Sequence, residues 1–284
     1  MKKIVALLSL TALLAIFLYG WLIEPQRVTV KYVRISDSNL YNAWGGLRIV
    51  HISDIHLTRL GSREERIIRI INGLEPDLVC VTGDLGQWGA TTTQVIRFLN
   101  SLKGKYGVFV VLGDSDMSSG PQRCFYCHEN NNIHRLRKRP NFLRDQCILI
   151  NLEEGRRMNL CGIDPSTGDD EESMDHFWKE VSEKGLLKKG PILVISHFSR
   201  YWSKLPENTR LLWLSGNTHG GQVLIPEWLR PYLFSGKDWR HLSGLFGSGK
   251  GKWLYVNQGL GTTEGFPVRI GVPPEITVIH ITKE

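Results

Sequence analysis

Five short apolar segments of this chain each end directly in a polar cluster. The clusters occupy positions 53–56, 83–84, 113–116, 197 and 216–221. Each follows an apolar run that is typical of a buried strand, such as LRIVHI before Ser53 and LVCVT before Gly83. In α/β proteins, ligands bind outside the carboxyl ends of the strands. The chain is therefore predicted to form a partly parallel sheet whose five polar clusters meet at one rim.

The remaining pattern predicts a single α/β domain. Strands are predicted at positions 28–35, 47–52, 78–82, 107–112, 147–152, 157–163, 192–196, 211–215, 222–225, 253–256 and 276–281, and helices at 62–72, 92–102 and 171–183. The early alternation of strands with helices favours a parallel sheet, and the later short strands favour a second, mixed sheet. Of the 284 residues, 42% are hydrophobic and 22% are charged, which excludes a disordered chain.

An uncharged apolar run lies near the N-terminus, at positions 4–23, directly after Lys2 and Lys3. Roughly 20 apolar residues span a bilayer as a helix, and Tyr19 and Trp21 are typical of the membrane interface. The sequence therefore predicts a membrane anchor at residues 1–26 and a globular domain at 27–284, with a cleaved signal peptide as the alternative. The two lysines predict a single-pass protein whose N-terminus is cytoplasmic and whose domain is extracytoplasmic.

The charge of the chain is moderately positive. Its 35 Lys and Arg exceed its 28 Asp and Glu, which gives a net charge of +7. This balance suits an anionic substrate or an anionic membrane surface. No nucleic-acid partner is expected, because the basic residues are spread along the chain apart from a short run at 135–139. The oligomeric state is left open.

Together, the five clusters supply groups that are typical of a transition-metal site. They contain four Asp, three His and one Asn, a mixture that suits Mn²⁺, Fe or Zn²⁺ better than Ca²⁺. A carboxylate shared by two ions would hold them about 3.5–4 Å apart, the spacing used in phosphoester hydrolysis. Each residue taken alone has a simpler interpretation, with Asp54 and Asp84 as helix caps and His197 as a structural histidine.

The order of these motifs resembles that of the calcineurin-like metallophosphoesterases. Asp54-Ile55-His56 matches the family's D-x-H motif, Gly83-Asp84 its G-D motif, and His197 its lone His. The later sequence is similar to a membrane-associated bacterial branch of the family, through HGGQ at 219–222, NQGLGT at 257–262, PVR at 267–269 and PPEI at 273–276. The resemblance covers about residues 28–284. It implies a four-layer αββα sandwich of two mixed sheets with a binuclear metal site.

The resemblance also implies which residues act at the site. Metal one is expected on Asp54, His56, Asp84 and His219, and metal two on Asp84, Asp114, His197 and Asn217. Two divalent ions are expected, Mn²⁺ first, with Fe, Zn²⁺ and Mg²⁺ as alternatives. A hydroxide that bridges the ions is the expected nucleophile. The expected catalytic residues are Asp84, Asp114, Ser115 and Asp116.

Three positions depart from the family pattern. Asp114 stands where the family has Asn, Asn217 where it has His, and Ser115 where it has a His that assists the leaving group. Loss of an acid costs about 10²–10⁴-fold for a poor leaving group, whereas a phosphate or phenolate leaving group needs little help. Relatives that cleave the pyrophosphate of UDP-diacylglucosamine also lack this His.

The resemblance therefore implies a metallophosphoesterase, either a phosphodiesterase or a pyrophosphatase, that acts on a membrane-associated or lipid-linked phosphate. The alternative is a catalytically impaired protein of the same fold that binds a metal or a phosphorylated ligand. This alternative is kept because the three departures affect the second metal site and the acid.

The cysteines suggest two further features. Cys124, Cys127 and His128 form a C-x-x-C-H sequence, the attachment pattern of c-type haem. A haem c protein is the less favoured alternative, and a local disulfide or two free thiols are the simpler interpretations. Cys147 and Cys161 lie nearly opposite each other across a predicted hairpin. They would form a cross-strand disulfide in an extracytoplasmic domain.

Residues 226–253 are rich in aromatic side chains among Arg and Lys, and include Trp228, Tyr232, Trp239 and Phe246. Two interpretations are open. The segment is expected to be either a membrane-facing lip that admits a lipid substrate or a packed loop that covers the metal site.

Overall fold

The N-terminal helix comes first in the structure, a computed structural model that describes residues 1–87, 90–117, 140–186, 190–205, 209–233, 238–247, 251–263 and 265–283. Helix α1 (Lys2–Leu18) continues through a π-helical turn (Tyr19–Ile23) and a 3-10 turn (Glu24–Gln26). The whole helical stretch, Lys2–Gln26, is long and apolar enough to cross a membrane. The division of the chain at residue 26 stays a prediction.

The first sheet has six strands in the order β1, β12, β2, β3, β4, β5. Their bounds are β1 (Thr29–Ser36), β2 (Arg48–Ile52), β3 (Leu78–Thr82), β4 (Gly107–Val111), β5 (Asn141–Phe142) and β12 (Glu275–Thr282). Strands β2 to β5 are parallel, β12 is antiparallel to β2, and β1 is parallel to β12. The parallel strands therefore direct their carboxyl ends to one edge.

The second sheet also has six strands, in the order β10, β11, β9, β8, β7, β6. Their bounds are β6 (Gln146–Asn151), β7 (Arg157–Ile163), β8 (Ile192–Ser196), β9 (Leu211–Ser215), β10 (Gly244–Gly247) and β11 (Lys252–Val256). The four inner strands are parallel, and the edge strands β6 and β10 are antiparallel to their neighbours. Both sheets are mixed, as the resemblance implies.

In the part of the chain that the structure describes, six further helices surround the sheets: α2 (Ser38–Trp44), α3 (Ser62–Gly73), α4 (Thr92–Ser101), α5 (Pro165–Asp169), α6 (Glu171–Glu183) and α7 (Arg230–Leu233). Helices α3 and α4 follow the first two strand-end clusters. Their N-cap positions are held by Gly61 and Thr91. Asp54 and Asp84 are therefore not the caps of these helices.

Three apolar cores stack through the domain. The middle core lies between the two sheets and includes Leu78 and Leu193. A second core packs the outer face of the first sheet on α3 and α4, through Ile67 and Phe98. The third packs the second sheet on α6, through Phe177. Helix, sheet, sheet and helix thus form the four-layer αββα sandwich, which confirms the expected fold class.

One predicted strand is wrong. Positions 222–225 form no strand, because only an isolated bridge joins Val223 to Ile270. Gln222 has a left-handed φ of 57°, and its N–H donates to His219 O at 3.0 Å, which closes a turn. The sequence pattern also misses α2, α5, α7, β5 and β10. These elements have between 2 and 7 residues and, unlike the five-residue strands β2 to β4, contain no run of apolar residues long enough to indicate a buried strand.

The cysteines differ in their environment. Cys147 and Cys161 form a disulfide between the paired strands β6 and β7, which confirms the predicted cross-strand pair. Cys80 is a buried free thiol of β3, where desolvation raises its pKa to about 12. Cys124, Cys127 and His128 lie outside the described residues, and the haem, disulfide and free-thiol interpretations of that segment stay predictions.

Candidate metal centre

Four buried side chains meet at the carboxyl ends of three strands. Asp54 and His56 follow β2, Asp84 follows β3, and His219 follows β9. Their ligand atoms lie within 4.8 Å of one another. We call these four residues the first cluster; they are the residues expected to hold metal one.

All four residues of the first cluster have a left-handed backbone. The φ angles are 46° at Asp54, 42° at His56, 51° at Asp84 and 51° at His219. Such angles cost non-glycine residues of order 1–3 kcal/mol each and concentrate at functional sites. Two backbone hydrogen bonds hold the loops in place, from Asp54 N–H to Gly83 O at 3.0 Å and from His56 N–H to Asp84 O at 2.9 Å. The loops after β2 and β3 therefore fix each other.

The distances in the first cluster fit one metal ion. His56 Nε2 is 3.2 Å from His219 Nε2 and 3.2 Å from Asp84 Oδ2. His219 Nε2 is 3.5 Å from Asp54 Oδ1. Two ligands that bind one ion at about 2.1 Å stand about 3.0–3.4 Å apart in octahedral or tetrahedral geometry. The four side chains thus have the spacing of a single coordination shell.

Asp84 also faces a second cluster, formed with Asp114 and His197. His197 Nε2 is 3.0 Å from Asp114 Oδ1 and 3.6 Å from Asp84 Oδ1. Asp84 therefore presents Oδ2 to the first cluster and Oδ1 to the second. One carboxylate between two ligand sets is the arrangement of a bridged binuclear site.

The orientation of His197 fits a metal ligand. Its Nδ1 lies 2.8 Å from Thr82 O and donates a hydrogen bond to it, which leaves Nε2 facing the carboxylates as the nitrogen that can bind an ion. Nε2 is buried, and it has no hydrogen-bond partner among the described residues although Asp114 Oδ1 lies 3.0 Å away. A buried nitrogen without a hydrogen bond, facing two carboxylates, matches what a metal ion requires.

The charged side chains of the two clusters shift one another's pKa values. Burial opposes the positive charge of His197, but Asp84 and Asp114 outweigh it and raise the pKa of His197 to about 10. Burial likewise opposes ionisation of Asp84, and the charges of His197 and His56 hold the Asp84 pKa below its ordinary value. Burial and the charge of His56 lower the pKa of His219 well below its ordinary value. The charge of His197 and the carboxylates of Asp84 and Asp114 therefore stabilise one another, and a divalent ion would supply positive charge at the same place.

Asp54 and the three positions that depart from the family pattern, 114, 115 and 217, also have defined contacts. Burial raises the pKa of Asp54 to about 6. The Asn217 N–H donates to both carboxylate oxygens of Asp54, at 3.0 and 3.1 Å. The Ser115 N–H donates to Asp84 Oδ1 at 3.2 Å, while Ser115 Oγ has no hydrogen-bond partner among the described residues. The side chain of Asp114 is 62% exposed, unlike the other carboxylates of the two clusters.

Asp116 makes a different kind of contact. Its buried carboxylate accepts hydrogen bonds from Gly113 N–H at 2.8 Å and from Leu85 N–H at 2.9 Å. Burial raises its pKa to about 7. These bonds join the loops after β3 and β4, so Asp116 positions the loops that carry Asp84 and Asp114. Its expected catalytic role stays a prediction.

A buried arginine, whose role the motifs do not predict, organises the loop after β11. Arg269 is fully buried and donates to the carbonyls of Gln258, Gly259, Gly261 and Val272. Burial lowers its pKa to about 10, which leaves it charged at neutral pH. The loop it binds reaches the metal centre, because Gly261 N–H donates to Asp54 O at 2.6 Å. The sequence signal for this residue is the PVR segment at 267–269, one of the segments that resemble the membrane-associated bacterial branch of the family.

A cavity of about 310 Å³ opens beside the first cluster. Its lining includes His56, Arg59 and Arg63 together with Pro25 and Gln26 from the end of the N-terminal helical stretch. The exposed Arg59 has no hydrogen-bond or ion-pair partner in the part of the chain that the structure describes. Arg63 donates instead to Pro25 O. The cavity therefore joins the metal centre to the end of the apolar helix and offers a cation to an anionic ligand.

The fold, the motif order and the two clusters agree with the family comparison. The family model described as Calcineurin-like phosphoesterase matches residues 47–255. The matched span contains both ligand clusters. The chain therefore belongs to the calcineurin-like phosphoesterase family, whose members are hydrolases that act on phosphoester bonds.

Several curated proteins are similar to the chain over nearly all of its length. It is 26% identical to the uncharacterized metallophosphoesterase YkoQ of Bacillus subtilis (strain 168), over 97% of the chain and 98% of that protein. It is also 26% identical to the UDP-2,3-diacylglucosamine pyrophosphatase LpxG of Chlamydia trachomatis, over 97% of each.

Two other comparisons cover unequal shares of the two chains. A transmembrane protein with metallophosphoesterase domain of Danio rerio is 29% identical over 98% of the chain, and the chain spans 62% of its length. A solved structure, TT1561 of Thermus thermophilus, matches with a TM-score of 0.47 and 14% identity, over 76% of the chain and 90% of that structure.

Proposed function

We propose that this protein is a membrane-anchored, metal-dependent hydrolase of a lipid-linked phosphodiester or pyrophosphate. The observation that carries the proposal is the position of Asp84. Its Oδ2 faces His56 in the first cluster, and its Oδ1 faces His197 in the second. Binuclear phosphoesterases use this arrangement to hold two ions at a fixed separation. We assign Mn²⁺ first, with Mg²⁺, Fe and Zn²⁺ as alternatives, because Asp114 adds a carboxylate where the family has an amide.

The residues of the chain would hold and orient the reacting groups. Asp54, His56, Asp84 and His219 would hold one ion, and Asp84, Asp114, His197 and Asn217 the other. When bound, two divalent ions supply Lewis acidity and lower the pKa of water. Thr82 O fixes the tautomer of His197, and the Ser115 N–H holds Asp84 Oδ1. The ligands are therefore oriented before a substrate arrives.

The residue at position 115 favours a good leaving group. Ser115 lies beside Asp84, and a Ser hydroxyl does not act as a general acid near neutral pH. An alkoxide then leaves slowly, whereas a phosphate or a phenolate leaves without a proton. The name of the chlamydial relative, a pyrophosphatase for a diacylated UDP-sugar, is in keeping with this preference. We therefore infer that the natural bond is a pyrophosphate or a similarly activated phosphoester.

The N-terminal helix and the cavity support a substrate carried by the membrane. The stretch Lys2–Gln26 is long and apolar enough to span a bilayer, and the Danio rerio relative is named a transmembrane protein. The cavity beside His56 reaches Gln26 at the end of that stretch. Arg59 supplies a positive charge there for a phosphate.

We place the domain on the extracytoplasmic side of the membrane. Lys2 and Lys3 precede the apolar run and favour a cytoplasmic N-terminus. The Cys147–Cys161 disulfide supports the same side, because disulfides persist in oxidising compartments.

A second candidate is a protein that binds a phosphorylated ligand or one metal without turnover. The exposure of Asp114 favours it, since that side chain is 62% exposed while His197 is fully buried. An exposed carboxylate is less firmly oriented and less desolvated than a buried one, so it binds an ion more weakly. The second cluster would then stay unfilled at low metal concentration.

The test is hydrolysis of bis(4-nitrophenyl) phosphate by the full chain in detergent with Mn²⁺. A phenolate leaves without an acid, which removes the effect of Ser115. We expect turnover that falls at least about 10²-fold in Asp84→Asn and is unchanged in Asp175→Asn, an exposed residue of α6. Binding of Mn²⁺ with no turnover above that of Asp84→Asn would support the second candidate.

A further inference from the structure

The exposed apolar side chains of the domain are concentrated in one region. Among the described residues after position 26, seven large apolar side chains are exposed: Tyr32, Leu149, Leu224, Trp228, Tyr232, Leu233 and Phe266. We call five of these the apolar rim: Leu224, Trp228, Tyr232, Leu233 and Phe266. Trp228 is 73% exposed and Tyr232 is 81% exposed. A concentration of exposed apolar groups marks a contact surface, whereas single ones need no explanation.

Hydrogen bonds join the two segments that carry the apolar rim. Gln222 Nε2 donates to Phe266 O at 3.1 Å, and Gln222 Oε1 accepts from Thr263 N–H at 2.7 Å. Leu224 N–H donates to Ile270 O at 2.7 Å. The segment at 222–233 is therefore joined to Thr263, Phe266 and Ile270 in one structural unit.

The same unit holds the end of the N-terminal helix. Arg269 N–H donates to Gly20 O at 2.8 Å, and Gly271 N–H donates to the Glu24 carboxylate at 3.0 Å. Glu24 is only 3% exposed. A Cβ at Gly20 would lie 2.6 Å from Ile270 Cγ1, so the helix and this loop are in direct contact. The helix is thus fixed to the domain at the place where the apolar rim begins.

We propose that the apolar rim lies in the headgroup region of the bilayer that the N-terminal helix spans. The inference depends on the anchor, which is part of the proposed function. Because Gly20 and Glu24 are bonded to residues 269–271, the domain has a fixed orientation at the point where the helix leaves the bilayer. Trp and Tyr are the side chains most enriched at that level. A bilayer is favoured over a protein partner because the apolar rim continues directly from the helix.

The proposal places the metal centre at the membrane surface. Gln222, which holds the two rim segments together, donates its N–H to the carbonyl of the metal ligand His219 at 3.0 Å. The cavity beside His56 opens to the same end of the helix. A phosphate in the headgroup layer would reach the centre while its acyl chains stay in the bilayer.

Tryptophan quenching tests the position of the apolar rim without using activity. The full chain is placed in nanodiscs of equal phosphatidylcholine and phosphatidylglycerol, with or without phosphatidylcholine brominated near the headgroup end of its acyl chains. The fluorescence of Trp228 is the difference between the wild type and Trp228→Phe. The same subtraction is made for Trp21→Phe in the helix and for Trp178→Phe, a buried residue of α6.

The expected result is quenching of the Trp228 signal, at least about twofold lower in brominated lipid, with Trp21 quenched and Trp178 unchanged. If Trp21 is quenched while Trp228 behaves like Trp178, the inference is overturned and the anchor stands. If Trp21 is also insensitive to bromine, the anchor itself fails, and the inference fails with it. The Trp228→Phe substitution is on an exposed side chain, so the comparison does not depend on a change of fold.

Discussion

The residues around the Asp84 carboxylate leave it little free space. Gly113 shows this most clearly. A Cβ at Gly113 would collide with the carboxylate and the backbone nitrogen of Asp84. The Asp84 carboxylate can therefore occupy its position only beside a residue without a side chain. The geometry of the metal centre depends on this contact as well as on the ligands themselves.

We predict that Gly113→Ala weakens Mn²⁺ binding. The new methyl group must displace Asp84, and changes that misorient a ligand typically cost about 10–100-fold in metal affinity. The control is Gly73→Ala at the end of α3, where a Cβ would meet nothing within 4 Å. Isothermal titration calorimetry of the two variants makes the comparison. Equal affinities for Mn²⁺ would show that the centre does not need the space at Gly113.

A second residue-scale prediction concerns His51, a buried residue of β2 that is not among the metal ligands. Its Nε2 lies 2.8 Å from Thr82 Oγ1, and burial lowers its pKa from 6.5 to about 3. The unfolded chain therefore takes up a proton between pH 6.5 and 3 that the folded chain excludes. Stability from this group is complete above pH 6.5 and is lost as the pH falls towards 3.

The change between pH 6.5 and pH 5 amounts to about 2 kcal/mol for this group alone. We expect urea unfolding of His51→Gln to lack this part of the pH dependence, because Gln does not titrate. The free energy of unfolding of the variant should therefore change less with pH than that of the wild type. Identical slopes for the two proteins would contradict the assignment of a neutral, buried His51.

The residues of the two clusters could be predicted at this scale because each follows an apolar strand in a fixed order. The role of Asp116 could not be predicted in the same way. It bonds to Leu85, 31 positions away in the sequence, and no local pattern records such a contact. Nor does a motif show that Asp114 is exposed, since exposure depends on the loops that cover the neighbouring ligands.

At the scale of elements, the loop after β11 connects the second sheet to the metal centre. Asn257 Oδ1 accepts from Gly259 N–H at 2.7 Å, and Leu260 N–H donates to Ser53 O at 2.9 Å. Arg269 completes the loop through its bonds to four backbone carbonyls. Four carbonyls of the loop therefore share one buried cation as a hydrogen-bond donor.

We predict that Arg269→Lys destabilises the protein by at least about 3 kcal/mol. A lysine cannot reproduce the planar fork of donors, and each buried carbonyl left without a partner costs about 1–3 kcal/mol. Arg34→Lys, on an exposed position of β1, is the control. Denaturant unfolding monitored by circular dichroism measures both. If the two substitutions have the same small effect, Arg269 does not organise the loop.

Buried elements with a run or a face of apolar residues could be predicted, and elements without one could not. Strands β2, β3 and β4 are short but mostly apolar, and α3 has an apolar face. The residues at 222–225 are typical of a strand, but the left-handed backbone of Gln222 forms a turn, so the segment does not join a sheet. Its environment is set by Thr263 and Phe266, which a local pattern does not contain.

At the scale of the whole molecule, the apolar helix, the cavity and the first cluster lie next to one another. The apolar helix ends at Gln26, the cavity extends from Gln26 to His56, and His56 belongs to the first cluster. The two sheets contribute to the centre together, because Asp84 follows β3 and His197 follows β8. The resemblance indicated the four layers and the ligand sets. It could not place the helix end against residues 269–271, because that contact lies between distant parts of the chain.

The central claim is that Asp84 bridges two metal ions, and electron paramagnetic resonance of the Mn²⁺-loaded full chain tests it directly. Two ions about 3.5–4 Å apart are magnetically coupled. We predict two bound Mn²⁺ per chain and a coupled spectrum that disappears in Asp84→Asn, while Asp175→Asn keeps it. A wild-type protein that binds a single Mn²⁺ at saturation, with an uncoupled six-line spectrum, would contradict the account.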